Sequence, residues 1–324
     1  MPWRRQFQEA IRDPVRLIEH LGLPASMLEP AKRASLDFPL FAPWNYVRRM
    51  RAGDASDPLL RQVLPIRAET ESIPGYTTDP VGDADAKQQP GLIQKYRGRV
   101  LLIVTGTCAI HCRYCFRRHY PYDSEPKSVE AWRPALEQIA SDPSVHEVIL
   151  SGGDPLSLSD ARLRALVSEL DGMPHLRRLR VHTRLPVVIP DRVTEEMLDW
   201  LTTSHLQPYF VLHVNHANEL SDEVLSQIDR IRRRGVTLLN QAVLLAGVND
   251  SVDALATLCE LRSDHGVLPY YLNQLDRVQG AAHFEVSEKR GRHLVEQLRT
   301  RLPGYAVPRY VREVAGEANK VVLL

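Results

Sequence analysis

The stretch RVLLIVTGTCAIHCRYCFRRHY, Arg99 to Tyr120, passes without a break from an apolar run into three cysteines. Val100 to Val104 are aliphatic throughout and are closed by Thr105 and Gly106, the composition of a strand bounded by a turn residue. Cys108, Cys112 and Cys115 then follow at Cys-x-x-x-Cys-x-x-Cys spacing, in a chain of only four cysteines. Working outward, five further runs read as strands: HEVILSGG (146–153), LRRLRVHTR (176–184), PYFVLHVN (208–215), VTLLNQAVLL (236–245) and LPYYLNQLD (268–276). They recur with a period of roughly 30 residues, the rhythm of βαβ units. Helical segments lie between them. SVEAWRPALEQIA (128–140) opens on a capping serine, and SDARLRALVSEL (159–170) follows the second strand. SDEVLSQIDRIRRRG (221–235) starts at Ser and stops at Gly. The expected fold is therefore α/β, an incomplete barrel of six units.

The chemically distinctive residues are not scattered over these units. The cysteines follow the first strand, Gly152, Gly153 and Asp154 close the second, and His182 and Arg184 end the third. His213, Asn215 and His216 end the fourth, Gln241 lies in the fifth, and Asp276 ends the sixth. Working groups of parallel α/β barrels gather at the C-terminal strand ends, because that rim is built of loops free to vary. One shared pocket on that rim is expected.

Residues 1–90 read differently. PWRRQFQEAIRDPVRLIEHLGL (2–23) is a helical segment broken at Pro14, and Gly, Pro and Asp recur from Gly53 to Pro90. The expected division is a helical N-terminal region with a connecting segment over 1–90, and a core barrel over 91–324. Among 324 residues, 41 Lys plus Arg balance 40 Asp plus Glu, which signals no nucleic-acid partner. Arg232, Arg233 and Arg234 fall at a helix end, where cations meet the dipole and solvent. No run approaches the roughly 18 apolar residues of a membrane span, and no apolar leader opens the chain. The expected location is the cytoplasm, and in a reducing compartment clustered cysteines favour a metal or redox site over disulfides. Cys259 shares a helical face with Leu255 and Leu258 and reads as a small buried apolar residue.

Three thiolates this close suit either zinc, with His111 or His119 as a fourth ligand, or an iron–sulfur cluster with one iron left open. The spacing resembles that of the radical S-adenosylmethionine (SAM) enzymes, in which SAM chelates the open iron of a [4Fe–4S] cluster. Read with KYRGRVLLIVTGTC, SGGDPL, HTRLPVVIP, HVNHANELS, NQAVLLAGVND, PYYLNQLD and GEANK, the chain resembles the lysine 2,3-aminomutase family. DPLLRQVLP (57–65), CRYCFRRHYPY, VQGAAHF (278–284) and REVAGEANK (312–320) carry a finer resemblance, to the branch that supplies (R)-β-lysine for elongation factor P.

That resemblance implies a radical SAM partial (β/α)6 TIM-like barrel with a helical N-terminal extension. It implies an isomerase that converts L-α-lysine to (R)-β-lysine with a [4Fe–4S] cluster, SAM and pyridoxal 5'-phosphate (PLP). Residue by residue, it places the cluster on Cys108, Cys112 and Cys115, and SAM against Gly152, Gly153, Asp154, Arg184, His213 and Gln241. Lys320 becomes the lysine that binds PLP as a Schiff base, with Tyr96 and Arg99 near that cofactor. Arg117 becomes the carboxylate ligand of the substrate, and Asp276 and Glu313 its distal ammonium ligands. Glu313 departs from the aspartate of the free-lysine enzymes by one methylene. Ser251 stands where those enzymes carry a cysteine of a zinc-binding extension, so no structural zinc is expected. The implied partners are a lysyl-tRNA-synthetase-like ligase, elongation factor P and a reductant such as flavodoxin or ferredoxin; a homo-oligomer is allowed. An aminomutase for another cationic amino acid and a non-catalytic zinc protein remain the alternative readings.

Overall fold

The computed structural model describes residues 2–324 and contains one ten-stranded sheet in which the strands lie in chain order. The strands are β1 (Lys87–Gln89), β2 (Leu92–Ile93), β3 (Arg99–Thr105), β4 (Glu147–Gly152) and β5 (Arg178–Thr183). They continue as β6 (Gln207–His213), β7 (Thr237–Val243), β8 (Leu268–Asn273), β9 (Arg309–Arg312) and β10 (Val321–Val322). From β3 to β9 every neighbouring pair is parallel, whereas β1–β2, β2–β3 and β9–β10 are antiparallel. The six strands expected from sequence are β3 to β8. β4 and β6 carry stretches buried on both sheet faces, Val148, Ile149 and Leu150 or Phe210, Val211 and Leu212, which read as unbroken apolar runs, whereas β5 and β7 alternate buried and half-buried positions. The four strands that escaped sequence reading are short, and β1 is wholly polar.

A helix follows each of the six central strands, and each begins at a hydroxyl cap. Ser128, Ser159, Thr194, Ser221, Ser251 and Ser287 accept from the backbone N–H three residues on, with N···O distances of 3.0–3.4 Å. Replacing such a cap by alanine costs about 1 kcal/mol, so the caps mark where the chain turns back over the sheet. Ser251 is thus occupied with starting the helix Val252–Asp264. Cys259 is buried in that helix and accepts from Arg262 Nη2 at 3.1 Å.

The N-terminal helices lean on the same core. The helix Pro2–Gln8 ends well before Pro14, which opens a second helix, Pro14–His20, at its first turn with Asp13 as cap. Trp3, Ile11, Leu17, Ile18 and Tyr46 join one apolar cluster with Leu163, Val188 and Leu198 of the barrel. This packing backs the cysteine loop, because His111 N–H donates to Phe41 O (3.0 Å) and Arg113 N–H to Gln62 O (2.9 Å). No helix among the described residues is long and apolar enough to cross a membrane.

Candidate active site

A cavity of about 320 Å³ opens at the C-terminal ends of the strands; every residue that the resemblance assigned a role lines it, whereas Asn215, His216 and His119 do not. The arrangement follows from parallel strands in sequential order, which bring six separate strand ends to one rim.

At one side of the cavity lies the cysteine loop. The thiol-bearing turn is closed by Cys115 N–H donating to Cys112 O (3.0 Å). Between those cysteines Arg113 points away from the cavity and is fully buried; its guanidinium grips both oxygens of Glu69 at 2.6–3.0 Å and donates to Phe38 O at 2.7 Å. Burial pushes Cys108 well above the usual thiol range, and burial followed by the neighbouring Cys112 moves Cys115 up to about 11. Cys108 and Cys115, which resist ionisation in a protein-only site, become good ligands once cations compensate them. No group of three or more His, Cys, Asp or Glu side chains among the described residues converges as a single metal ion requires. A four-iron cluster takes each thiolate on a different iron, and three cysteines in one short loop suit it.

The second and third strand ends form the adjoining wall. Gly152 has φ +120°, and a Cβ there would stand 2.4 Å from Thr105 O; at Gly153 it would stand 2.4 Å from Thr107 O. Glycine is required because this loop is stitched to the start of the cysteine loop, with Gly153 N–H on Thr105 O (2.7 Å) and Asp154 N–H on Thr107 O (2.8 Å). Asp154 spends both carboxylate oxygens inside the protein. It accepts from Leu156 N–H (3.0 Å), Thr183 Oγ1 (2.7 Å), Arg184 N–H (2.7 Å) and Leu185 N–H (3.0 Å). Arg184 is similarly committed, to Glu219 (2.7 Å), Gln62 (2.7 Å), Tyr114 (2.8 Å) and the Cys112 sulfur (2.8 Å). Both residues therefore build the wall, and Arg184 places positive charge on a thiol. His213 faces Tyr114 Oη at 2.8 Å, and burial together with Arg184 lowers it to about 3, so the ring is neutral. Gln241 Nε2 approaches His182 Nδ1 at 3.5 Å, and His182 Nε2 has no hydrogen-bond partner among the described residues.

Across the cavity stands a chain of alternating charge. Lys320 Nζ donates to Glu313 Oε2 at 2.7 Å, and Glu313 Oε1 accepts from Tyr96 Oη at 2.6 Å and lies 3.8 Å from Lys95 Nζ. Lys95 Nζ lies 2.7 Å from Asp83 Oδ1, whose other oxygen accepts from Arg117 Nε at 2.6 Å. The Arg99 guanidinium covers the Tyr96 ring at 4.4 Å. Asp276 enters no ion pair among the described residues, and burial pushes its carboxyl up to about 6 even though Lys320 pulls the other way. Burial raises Glu313 too, but Lys320, Tyr96 and Lys95 outweigh it and hold that carboxyl below its ordinary range.

Lys95, Asp83 and Glu69 escaped sequence reading as site residues, whereas His182 was placed on the rim without a role. Lys95 adjoins Tyr96 in KYRGR and so left a signal. Asp83 and Glu69 left none, because each meets a partner 34 or 44 residues away, Asp83 from an irregular segment and Glu69 from the short 3-10 helix Arg67–Thr70.

The sequence profile of the Radical SAM superfamily matches residues 102–259. The L-lysine 2,3-aminomutase of Escherichia coli (strain K12) is 44% identical over 322 residues, which cover 99% of this chain and 94% of that protein. The L-lysine 2,3-aminomutase of Haemophilus influenzae is 42% identical over 320 residues, covering 99% of this chain and 95% of that protein. Among solved structures, SuiB of Streptococcus suis bound to its precursor peptide SuiA superposes with a TM-score of 0.50 at 14% identity, covering 69% of this chain and 50% of that one. That likeness bears on the fold alone.

Proposed function

The chain belongs to the L-lysine 2,3-aminomutase family of radical SAM enzymes, and on that premise we propose that it moves the α-amino group of L-lysine to the β-carbon with PLP as carrier, giving (R)-β-lysine for elongation factor P. One observation carries the reading: three thiols, a lysine amine, a guanidinium and two carboxylates share a single cavity. When bound, the cluster and SAM supply a carbon-centred radical that removes a β-hydrogen, and PLP supplies the π-system across which the amino group shifts.

The protein's own residues account for binding and exclusion. Cys108, Cys112 and Cys115 hold the cluster, and three ligands leave one iron for SAM. Gly152 and Gly153 let backbone approach SAM closely, while neutral His213 and Gln241 offer hydrogen bonds beside it. Lys320 holds PLP, with Tyr96 and Arg99 alongside. Arg117 takes the substrate carboxylate as a charge-assisted pair, and Asp276 and Glu313 take the distal ammonium. Ile93, Val100, Ile149 and Val243 contribute apolar walls. Such walls keep water from a primary radical and hold the β-hydrogen in reach of it. Two anions at the distal end favour a cationic side chain over glutamate. Glu313 reaches one methylene further into the cavity than an aspartate would and so changes the length of cation that fits, which makes arginine the competitor to measure.

The test is anaerobic incubation with SAM, PLP and dithionite, offering lysine and arginine in separate reactions, followed by chiral analysis of products. (R)-β-lysine as the dominant product supports the proposal, and a β-amino acid from arginine alone replaces the substrate. Coexpression with elongation factor P and its lysyl-tRNA-synthetase-like ligase should add the mass of one lysyl residue, lysine less the water lost on amide formation, to the factor. Unchanged mass there, with β-lysine formed in vitro, would remove the link to elongation factor P and leave the isomerase intact.

A further inference from the structure

Asp83 lies outside the barrel strands, in the segment that leads to β1, yet its side chain is only 2% exposed and reaches the cavity's charged wall. The segment is rigid where it matters: Asp79 accepts from Asp83 N–H at 3.0 Å and from Ala84 N–H at 2.9 Å. Opposite, a Cβ on Gly82 would touch Ala315 Cβ at 3.0 Å, which packs the segment on the loop carrying Glu313 and Lys320. From this anchored position Asp83 Oδ2 accepts from Arg117 Nε at 2.6 Å, and Oδ1 lies 2.7 Å from Lys95 Nζ. Burial alone would raise the Asp83 carboxyl, but Arg117 and Lys95 outweigh it and hold it below the ordinary range, so it is an anion at working pH.

The choice of atom matters. A guanidinium can meet a carboxylate side-on through Nε and one terminal nitrogen, or end-on through its two terminal nitrogens. Asp83 occupies Nε. Nη1 makes only a 3.3 Å contact with Ser151 Oγ, and Nη2 makes no hydrogen bond among the described residues. The end-on fork of Arg117 therefore remains for a ligand. Charge is matched as well: Lys95 compensates Asp83, so Arg117 keeps one uncompensated positive charge for an incoming carboxylate.

We propose that Asp83 is a positioning residue that turns the end-on fork of Arg117 toward the substrate carboxylate and so sets recognition of an amino acid over the corresponding amine. This rests on the reading of Arg117 as carboxylate ligand. Asp83 touches neither reacting atoms nor cofactor and acts through the arginine. Removing its charge frees Nε and lets the guanidinium rotate away from the pose that the carboxylate needs.

The experiment measures equilibrium binding of L-lysine and of 1,5-diaminopentane, which is lysine without its carboxylate, to PLP-loaded enzyme under anaerobic conditions. Wild type should prefer lysine. Asp83→Asn should weaken lysine at least tenfold and leave the diamine within twofold, and Asp83→Glu should restore part of the loss. Retained visible absorbance of bound PLP and an unchanged melting temperature show that the Asn variant is intact; if it is not, the Glu variant is scored by the same ratio. Equal weakening of both ligands, or of neither, overturns the proposal. A wild type that does not distinguish lysine from the diamine overturns the reading of Arg117 itself, and the role of Asp83 falls with it.

Discussion

Lys320 Nζ lies 2.7 Å from Glu313 Oε2, seven residues earlier in the chain, and the pairing of two short strands puts them there. Arg312 of β9 is registered with Val321 of β10, so Glu313 and Lys320 are the next positions on each side, facing one another across the turn. Gly316, at φ +83°, lets that turn close. An amine four residues from the end of the chain is thereby fixed inside a barrel whose cysteines come two hundred residues before it.

Lys320→Ala removes the amine without disturbing the barrel strands. The variant is expected to lose the visible absorbance of protein-bound PLP while still cleaving SAM slowly, since the cysteine wall is untouched. An absorption spectrum identical to wild type would mean that another amine carries the cofactor.

Cys112→Ala removes a thiol that also accepts from Arg184 Nη1 at 2.8 Å. Reconstitution of this variant should yield neither a brown protein nor acid-labile sulfide, and SAM should remain uncleaved. Iron with sulfide in wild type also separates the radical enzyme from a zinc protein, which would carry zinc and no sulfide. Retained SAM cleavage in the variant would contradict the assignment of the cluster.

Glu69→Ala leaves Arg113 charged, wholly buried and without its carboxylate. Breaking a buried pair on one side costs about 3–5 kcal/mol, because the remaining charge stays desolvated. Urea unfolding of the cluster-free protein should show a loss in that range, and reconstituted cluster content should fall in step, since Arg113 lies next to Cys112. A change below 1 kcal/mol would show that the cysteine loop is held by its backbone bonds alone.

The parts of this architecture that could be read in the sequence are those with a local signature. Val100 to Val104 or Val148 to Leu150 announce a strand buried on both faces, and each barrel helix announces its start with a hydroxyl cap. Rim position was readable too, because a strand's end fixes where the next residues stand. Partners joined by tertiary contact were not. Arg184 drew notice as a polar residue at a strand end, but its burial among Gln62, Tyr114 and Glu219 draws on segments that no spacing connects. Asp83 is one aspartate among several in a Gly- and Pro-rich stretch, and only the folded chain sets it on Arg117. Tyr96 and Arg99 needed a family resemblance to be noticed, and their stacking at 4.4 Å is invisible in KYRGR.

Asp276 couples affinity and stability to pH with opposite signs. Its carboxyl is raised from 3.8 to about 6, first by burial, with Glu313 and Asp83 adding to the rise and Lys320 and Lys95 opposing it. In its proposed role as a ligand for the substrate ammonium it must be ionised. Lysine affinity should therefore be flat above about pH 7 and fall toward tenfold per unit below about pH 6, a window in which Glu313 and Asp83, both held low, do not titrate. For folding the sign reverses. The folded chain binds a proton at Asp276 that the unfolded chain has already released, so stability falls as pH rises from about 4 to about 6 and stays lower above it. Asp276→Asn removes both effects: lysine binding is weak at every pH, and the melting temperature rises relative to wild type at pH 8 with a gain that vanishes toward pH 4. Isothermal titration and thermal melts across that range check both limbs. A variant that loses affinity and also melts lower at pH 8 would show that Asp276 is a structural anion, held by cations rather than waiting for one.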